Sequence, residues 1–452
     1  MEKSVIKRLI VEKQQEIPAL SVADRGMQFE EGLCYVLIGP RRAGKSYMLY
    51  RDIQHKIASG AAVAEDMLYV NFEDERMASI RAEELGLVLD AYKELYDRKP
   101  FIYLDEIQNI IGWEKFARRL ADSKYRVMIT GSNARMLSKD ISTTLGGRYV
   151  PREVFPFSFA EYLPFRGLRK APNWEYDTAF CTAASREFDT YLHWGGFCET
   201  FDIQGKREWL NALYQKVLMG DIVERNKIRN PGVFRLLVRK LAESVLQPCA
   251  MNRLKNIIKS SGESISDTVL KDYLGYLEDA YLTFSLSNYV SPLTEKETIR
   301  KRYFIDNGIL ALFLVDEDEK LLENLVAIQL NRLYRNTKEE TRLYYYNRGC
   351  EIDFCIPEER LAIQVSCEIT NRETYEREIG GLEKFLAAYP DYRGILITAD
   401  TERSIASRAG DIKVVPAWKW LLERAPLVSA AGAVDAAGGS GSGRPRLEAG
   451  IL

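Results

Sequence analysis

Short unbroken apolar runs alternate along the first third of the chain with longer stretches in which apolar residues recur every three or four positions. The runs CYVLI (Cys34 to Ile38), MLYVNF (Met67 to Phe72), FIYL (Phe101 to Leu104) and YRVMIT (Tyr125 to Thr130) are too short for helices and too uniformly apolar for a half-exposed sheet. They predict strands of a parallel sheet buried on both faces. Met48, Leu49, Ile53 and Ile57 keep helical spacing up to Ser59-Gly60, and a second amphipathic helix is predicted from about Glu83 to Tyr96. Strand and helix in alternation imply an α/β domain with helices on both faces of the sheet. The Met67 to Phe72 strand is expected to intervene between the first strand and the third.

Beyond residue 165 the pattern changes. Helical periodicity dominates from about Phe180 to Ala280. Residues 251–289 then read as a helix, a Ser-Gly turn, a second helix (Ser264 to Tyr281) and a strand entering the hairpin 290–306, which is the pattern of a winged helix. From about Lys320 to Arg424 come a helix (ENLVAIQLNRLYR), a strand pair (around RLYYYNRGCEIDFCI) and a further strand (RLAIQVSCEI). The tail from Ser429 is Ala, Gly and Ser with almost no large apolar residue, and disorder is expected there. The expected division is an α/β domain over 1–165, a helical and winged-helix domain over 166–315, a small α/β domain over 316–425 and a disordered tail over 426–452.

The candidate chemistry begins directly after the first strand. The segment GPRRAGKS fits G-x-x-x-x-G-K-S/T as Gly39, Pro40, Arg41, Arg42, Ala43, Gly44, Lys45 and Ser46. This pattern wraps an anion in consecutive backbone N–H groups, and it works only between a strand and a helix, which is the context here. The helix start directs its positive dipole end at phosphates, Lys45 supplies a point charge, and the Ser46 hydroxyl ligates magnesium. Asp105 and Glu106 follow the third strand at its C-terminal end, where open α/β sheets place their ligands. Asp105 is the candidate second magnesium ligand, and Glu106 the group that polarises an attacking water. Ser132 and Asn133 end the fourth strand beside the expected γ-phosphate position, unless they form only a turn. Arg148 follows two glycines and is a candidate to reach a neighbouring subunit's nucleotide, which would imply a homo-oligomer. Arg41 and Arg42 are alternative cationic groups, or simply solvated ones.

Composition narrows the rest. With 452 residues and 46% hydrophobic content the chain can bury about three cores. Lys plus Arg number 63 against 65 for Asp plus Glu, so a nucleic-acid contact would have to be a local patch. The seven cysteines contain no C-x-x-C and there are only two histidines, which argues against a zinc site or a disulfide framework. The N-terminal segment is charged throughout, and no apolar run nears the roughly eighteen residues of a membrane span, so a cytoplasmic protein without membrane contact is expected.

Together GPRRAGKS, VNFED, IYLDEIQNIIGWEKFARRLAD, MITGSNARML, LGGRYVPREVFPFSFAEYL, RYFIDNGIL and CEIDFCI resemble a group of bacterial and archaeal AAA-type ATPases. Those proteins join an N-terminal ATPase domain to a nuclease-like C-terminal domain of unknown function. The resemblance spans roughly residues 20 to 422 and implies ATP binding by Gly44, Lys45 and Ser46, magnesium at Asp105 and catalysis by Glu106. It also implies a restriction-endonuclease-like core in the last unit, with Glu323 and Asp353 as candidate metal ligands. Where that pattern calls for E-x-K this chain has Gln364-Val365-Ser366, and neutral side chains cannot supply the missing charge. An inactive nuclease fold is therefore expected, unless a lysine from another element takes the place of the absent one. Tyr344 to Tyr346 could stack on bases, though alternation on a strand makes them core candidates.

The predicted second helix of the winged helix carries Asp267, Asp272, Glu278 and Asp279 against Lys271 alone, which opposes insertion into a DNA groove. Any DNA contact is therefore expected through the wing, at Arg300, Lys301 and Arg302, unless the winged helix serves only to pack against protein. Three functions compete: an ATPase that remodels a DNA or protein partner, an ATP-dependent switch that regulates a protein partner, and an ATP-gated DNA endonuclease.

Overall fold

The computed structural model describes residues 1–133, 143–334, 342–369 and 371–424. Its N-terminal part is built on five parallel strands: β1 (Cys34–Ile38), β2 (Met67–Asn71), β3 (Phe101–Asp105), β4 (Arg126–Gly131) and β5 (Tyr149–Glu153). Alternate residues of each strand go to opposite faces, as a pleated sheet requires. Val36, Ile38, Val70, Leu104 and Ile129 pack under α1 (Lys3–Glu16), α3 (Gly86–Lys93) and α4 (Glu114–Asp122), while Tyr35, Leu37, Tyr69, Tyr103 and Met128 pack under α2 (Lys45–Ala58). The uniform apolarity of the strands follows from this double cover.

The spatial order is β2-β3-β4-β1-β5. A strand does separate the loop strand from the carboxylate strand, but it is β4; the expectation for the Met67 to Phe72 run is corrected, because β2 lies at the edge. Chain order does not fix sheet order, since a crossover helix can return to either side of a strand. The edge is covered by α1, whose Gln14 donates from Nε2 to Met67 O (2.9 Å). The charged composition of residues 1–17 concealed that helix: Ile6, Leu9 and Ile10 form its narrow buried stripe.

The middle of the chain comprises α5 (Thr178–Trp194), α6 (Lys206–Lys216), which runs on into π-helical turns over Val217–Glu224, and α7 (Pro231–Glu243). Next come α8 (Met251–Ser260) and α9 (Asp267–Asp279), with Ser266 Oγ accepting from Val269 N at the start of α9. An antiparallel sheet of β6 (Cys249–Ala250), β8 (Ile299–Phe304) and β7 (Thr283–Ser287), in the order β6-β8-β7, closes this unit.

The last unit is a six-stranded mixed sheet in the order β13-β14-β12-β11-β10-β9. Its strands are β9 (Tyr344–Asn347), β10 (Glu351–Ile356), β11 (Leu361–Val365), β12 (Arg393–Thr398), β13 (Arg403–Ile405) and β14 (Ile412–Pro416). Helices α10 (Asp318–Tyr334), α11 (Arg372–Ala388) and α12 (Ala417–Glu423) accompany it. Tyr345 and Tyr346 are buried, as strand alternation suggested, and Tyr344 is partly so. Apolar side chains from Phe157 to Leu422 form one core that runs through both the helical region and this sheet. The tail expected to be disordered lies outside the described residues. Among the described residues no helix is long and apolar enough to cross a membrane.

Candidate nucleotide site

The site is built at the C-terminal ends of β1, β3 and β4. Gly39 leaves β1 with φ +154°, and a Cβ there would stand 1.9 Å from Val154 O, so the loop can pass only as glycine. Arg42 and Gly44 also have positive φ, 63° and 89°, turning the chain so that Lys45 begins α2. The start of a 14-residue helix is thereby directed at the loop's concavity.

Lys45 is buried, and its Nζ donates to Gly39 O (3.2 Å) and Pro40 O (2.9 Å) and stands 3.6 Å from Glu106 Oε1. Burial lowers its pKa, while Glu106 and Asp105 pull the other way. Asp105 is fully buried at the end of β3. Tyr69 OH donates to it at 2.5 Å, Thr130 Oγ1 donates to its other oxygen, and the Ser46 hydroxyl also hydrogen-bonds to it. Burial pushes the Asp105 carboxyl up, and those hydrogen bonds oppose the shift. Ser46 and Asp105 thus present hard oxygen atoms side by side at the loop, a donor set that suits magnesium.

Glu106 has φ 52°, a left-handed conformation stabilised by its N–H donating to Thr130 Oγ1 (2.8 Å). Its carboxylate accepts from Gln108 Nε2, which also reaches Ser132 Oγ (3.3 Å). Ser132 and Asn133 are both buried where β4 ends. The structure therefore brings Lys45, Ser46, Asp105, Glu106 and Ser132 together, with Asn133 at the same strand end.

Several supporting residues escaped the sequence. Thr130 and Tyr69 lie on strands that pattern recognition treated as apolar runs, and their hydroxyl groups meet Asp105 only once β2 and β4 flank β3. Arg25 comes from the segment before β1: Nη1 donates to Ala43 O (2.9 Å), Nε and Nη2 reach Glu161 (2.7 and 3.0 Å), and the guanidinium covers the Phe157 ring. Arg41 is not solvated. It pairs with Asp221 in the π-helical turns (3.0 and 3.2 Å) and with Glu73 (3.0 Å), and these carboxylates hold it above the ordinary arginine value although burial opposes them. Arg42 is more exposed and lies 3.4 Å from Glu199.

Arg148 is not brought to this site. It precedes β5, whose first residue pairs with Cys34 at the start of β1, so about 15 Å of strand separates it from the loop of its own chain. Its Nε is paired with Asp122 and its Nη1 donates to Gly146 O (3.2 Å).

The expected wing contact is corrected. Lys301 and Arg302 are buried, the first among carboxylates and the second with Nη1 directed at Cys249 O (3.4 Å). Within β8 the side chain at 301 turns towards the six-stranded sheet, a direction no local charge count reveals. Arg300 is half-buried and bonded to Lys296 O, Ser285 Oγ and Glu297. The nuclease-like candidates do gather: Glu323 on α10 and Asp353 on β10 lie around Lys301, and Gln364 on β11 accepts from Asp353 N. Ser366 instead donates to Glu368 O (2.9 Å).

Residues 32–163 match a family described as an AAA domain, and residues 185–320 match a domain of unknown function, DUF8612. An uncharacterized protein of Methanocaldococcus jannaschii is 33% identical over 405 residues, covering 86% of this chain and 88% of that protein. One from Haemophilus influenzae is 29% identical over 406 residues, 86% of this chain and 94% of that protein. Among solved structures, a Walker-type ATPase of Pyrococcus abyssi aligns with 15% identity over 70% of this chain and 96% of that one, with a TM-score of 0.37. The Orc1 protein of Aeropyrum pernix in complex with DNA aligns with 15% identity over 72% and 93%, with a TM-score of 0.26.

Proposed function

We propose, from the premise that this chain belongs to the AAA-type P-loop ATPases with a C-terminal domain of unknown function, that it binds ATP with magnesium and hydrolyses it. The observation that carries this reading is the convergence of Lys45, Ser46, Asp105 and Glu106 on one end of a single parallel sheet. Backbone N–H groups of residues 40–45 and the α2 N-terminus bind the phosphates, and Lys45 exchanges its carbonyl partners for phosphate oxygens. Ser46 and Asp105 would hold magnesium, which when bound neutralises phosphate charge. Glu106, fixed by Thr130 and Gln108, polarises the water, and Ser132 and Asn133 flank the γ-phosphate. Arg148 serves a neighbouring copy's site, since its own loop is out of reach.

The Arg41–Asp221 pair favours transmission of the nucleotide state to the helical region. Arg41 belongs to the phosphate loop, and Asp221 lies in π-helical turns, a geometry often found at functional positions. We read α8, α9 and the three-stranded sheet as a winged helix and the last unit as a nuclease-like fold, which together receive that signal and hold a DNA or protein partner. With Lys301 and Arg302 buried, the wing retains little charge for DNA, and this favours a switch acting on a protein partner. ATP turnover with and without duplex DNA at low salt separates the two readings: stimulation by DNA supports a DNA remodeller, and indifference supports the switch.

A further inference from the structure

Lys301 is 1% exposed and sits where three carboxylates converge: Asp353 Oδ1 at 3.0 Å, Glu351 Oε1 at 3.2 Å and Glu323 Oε1 at 3.6 Å. It comes from β8 of the three-stranded sheet, whereas its partners belong to α10 and β10 of the last unit. We propose that the Lys301 ammonium is the resident cation of this cluster, standing where a divalent metal would have to sit, so that the cluster fastens the two C-terminal units together and does not take up metal.

The remaining contacts fix the carboxylates around the ammonium. Asp353 Oδ2 accepts from Val365 N (3.0 Å), Glu323 Oε1 accepts from Tyr303 OH (2.7 Å), and Gln364 Oε1 is taken by Asp353 N (3.1 Å). The carboxylate oxygen atoms that would face a hard cation, Asp353 Oδ1, Glu351 Oε1 and Glu323 Oε1, face the ammonium, which occupies the space between them. Among the described residues no group of three or more His, Cys, Asp or Glu side chains is arranged to hold a metal ion. Glu378, nearby and buried, accepts from Arg377 at Oε1 (2.7 Å), while its Oε2 has no hydrogen-bond partner; burial raises this carboxyl. Burial alone would lower the Lys301 pKa, but Glu323, Asp353 and Glu351 hold it above the ordinary lysine value. A charge so placed cannot be withdrawn without leaving the buried Glu323 and Asp353 facing one another with no cation between them.

The test is thermal unfolding of the full chain, free of nucleotide, in chelator and in millimolar manganese. Wild type is expected to give the same midpoint in both. Lys301→Met is expected to unfold earlier in chelator and to recover by about 5 °C in manganese, because removal of the ammonium opens a site that a divalent cation can fill. The recovery should vanish in Lys301→Met with Asp353→Asn. A folded Lys301→Met protein indifferent to manganese overturns the proposal. A second measurement does not depend on that variant folding: saturable manganese binding to the wild type that disappears in Asp353→Asn would show the site to be a metal site and overturn the proposal, whereas no difference between those two proteins supports it.

Discussion

Thr130→Val removes one oxygen atom from the nucleotide site at nearly constant shape. Thr130 is fully buried, and its hydroxyl makes both the bond to Asp105 Oδ1 and the one from Glu106 N. Valine leaves a buried backbone donor and a buried carboxylate oxygen unsatisfied, at about 1–3 kcal/mol each, while the packing term stays near zero because the volumes match. A central value of about 4 kcal/mol lowers the unfolding midpoint of the ATPase domain by about 8–16 °C. The effect on turnover has a separate origin. Glu106 keeps its left-handed backbone through that N–H bond, and loss of the bond lets the carboxylate drift from the water it must polarise. A misplacement of about 1 Å costs up to about 100-fold, so kcat should fall by about 10–100-fold with a much smaller change in nucleotide affinity. Thr130→Ser, which restores the hydroxyl, should recover most of both losses. Calorimetry and steady-state turnover on the three proteins test this directly. A Thr130→Val protein with wild-type midpoint and wild-type kcat would refute the place given to Thr130 and, with it, the geometry of Glu106.

Lys45→Ala should lose detectable ATP binding in equilibrium titration, because it deletes a buried cation at the phosphate position. Mixing Arg148→Ala with Lys45→Ala should restore turnover that neither protein shows alone, since a mixed interface in one of its two orientations sets an intact loop beside an intact Arg148; mixtures no more active than the sum of their parts would leave Arg148 without that role. Asp221→Asn should weaken the coupling between nucleotide and protease resistance of residues 217–224 while altering ATP affinity less, and an unchanged digestion pattern would remove Arg41–Asp221 as the link. Burial, then Asp353, pushes Glu323 up to about 8, and burial pushes Asp306 up to about 6. A carboxyl raised in the folded state holds its proton there after the unfolded chain has lost it, so these groups stabilise at low pH and that contribution fades as pH rises. Between pH 6 and 8 the fading belongs mainly to Glu323, and Glu323→Gln should flatten the stability profile in that window.

The two segments that make the nucleotide site readable from sequence are local: GPRRAGKS between a strand and a helix, and Asp105-Glu106 at a strand end, state their chemistry in a few consecutive positions. Strand β1 spans Cys34–Ile38, the span its apolar run marks. What could not be read was relational. That β4 lies between β1 and β3 depends on crossover paths, and the Thr130 and Tyr69 contacts with Asp105 exist only in that order. The sequence left Arg41 either a cationic group for the nucleotide or a solvated one, because Asp221 lies 180 residues away. The RKR run in β8 illustrates the limit of counting charge: alternation on a strand sends Arg300 and Arg302 to one side and Lys301 to the other, and the partners that bury Lys301 come from a different unit. The helix expected from about Glu83 to Tyr96 is confined to Gly86–Lys93, with a 3-10 turn over Ala82–Glu84.

The central claim is that Glu106 activates water at a nucleotide held by the loop from Gly39 to Ser46. It is tested most directly by measuring ATP affinity and steady-state turnover together for wild type and Glu106→Gln. The account predicts that Glu106→Gln binds ATP within a few-fold of wild type and has turnover lower by at least about 100-fold, in keeping with the loss of a positioned general base. Wild-type turnover in Glu106→Gln would contradict it.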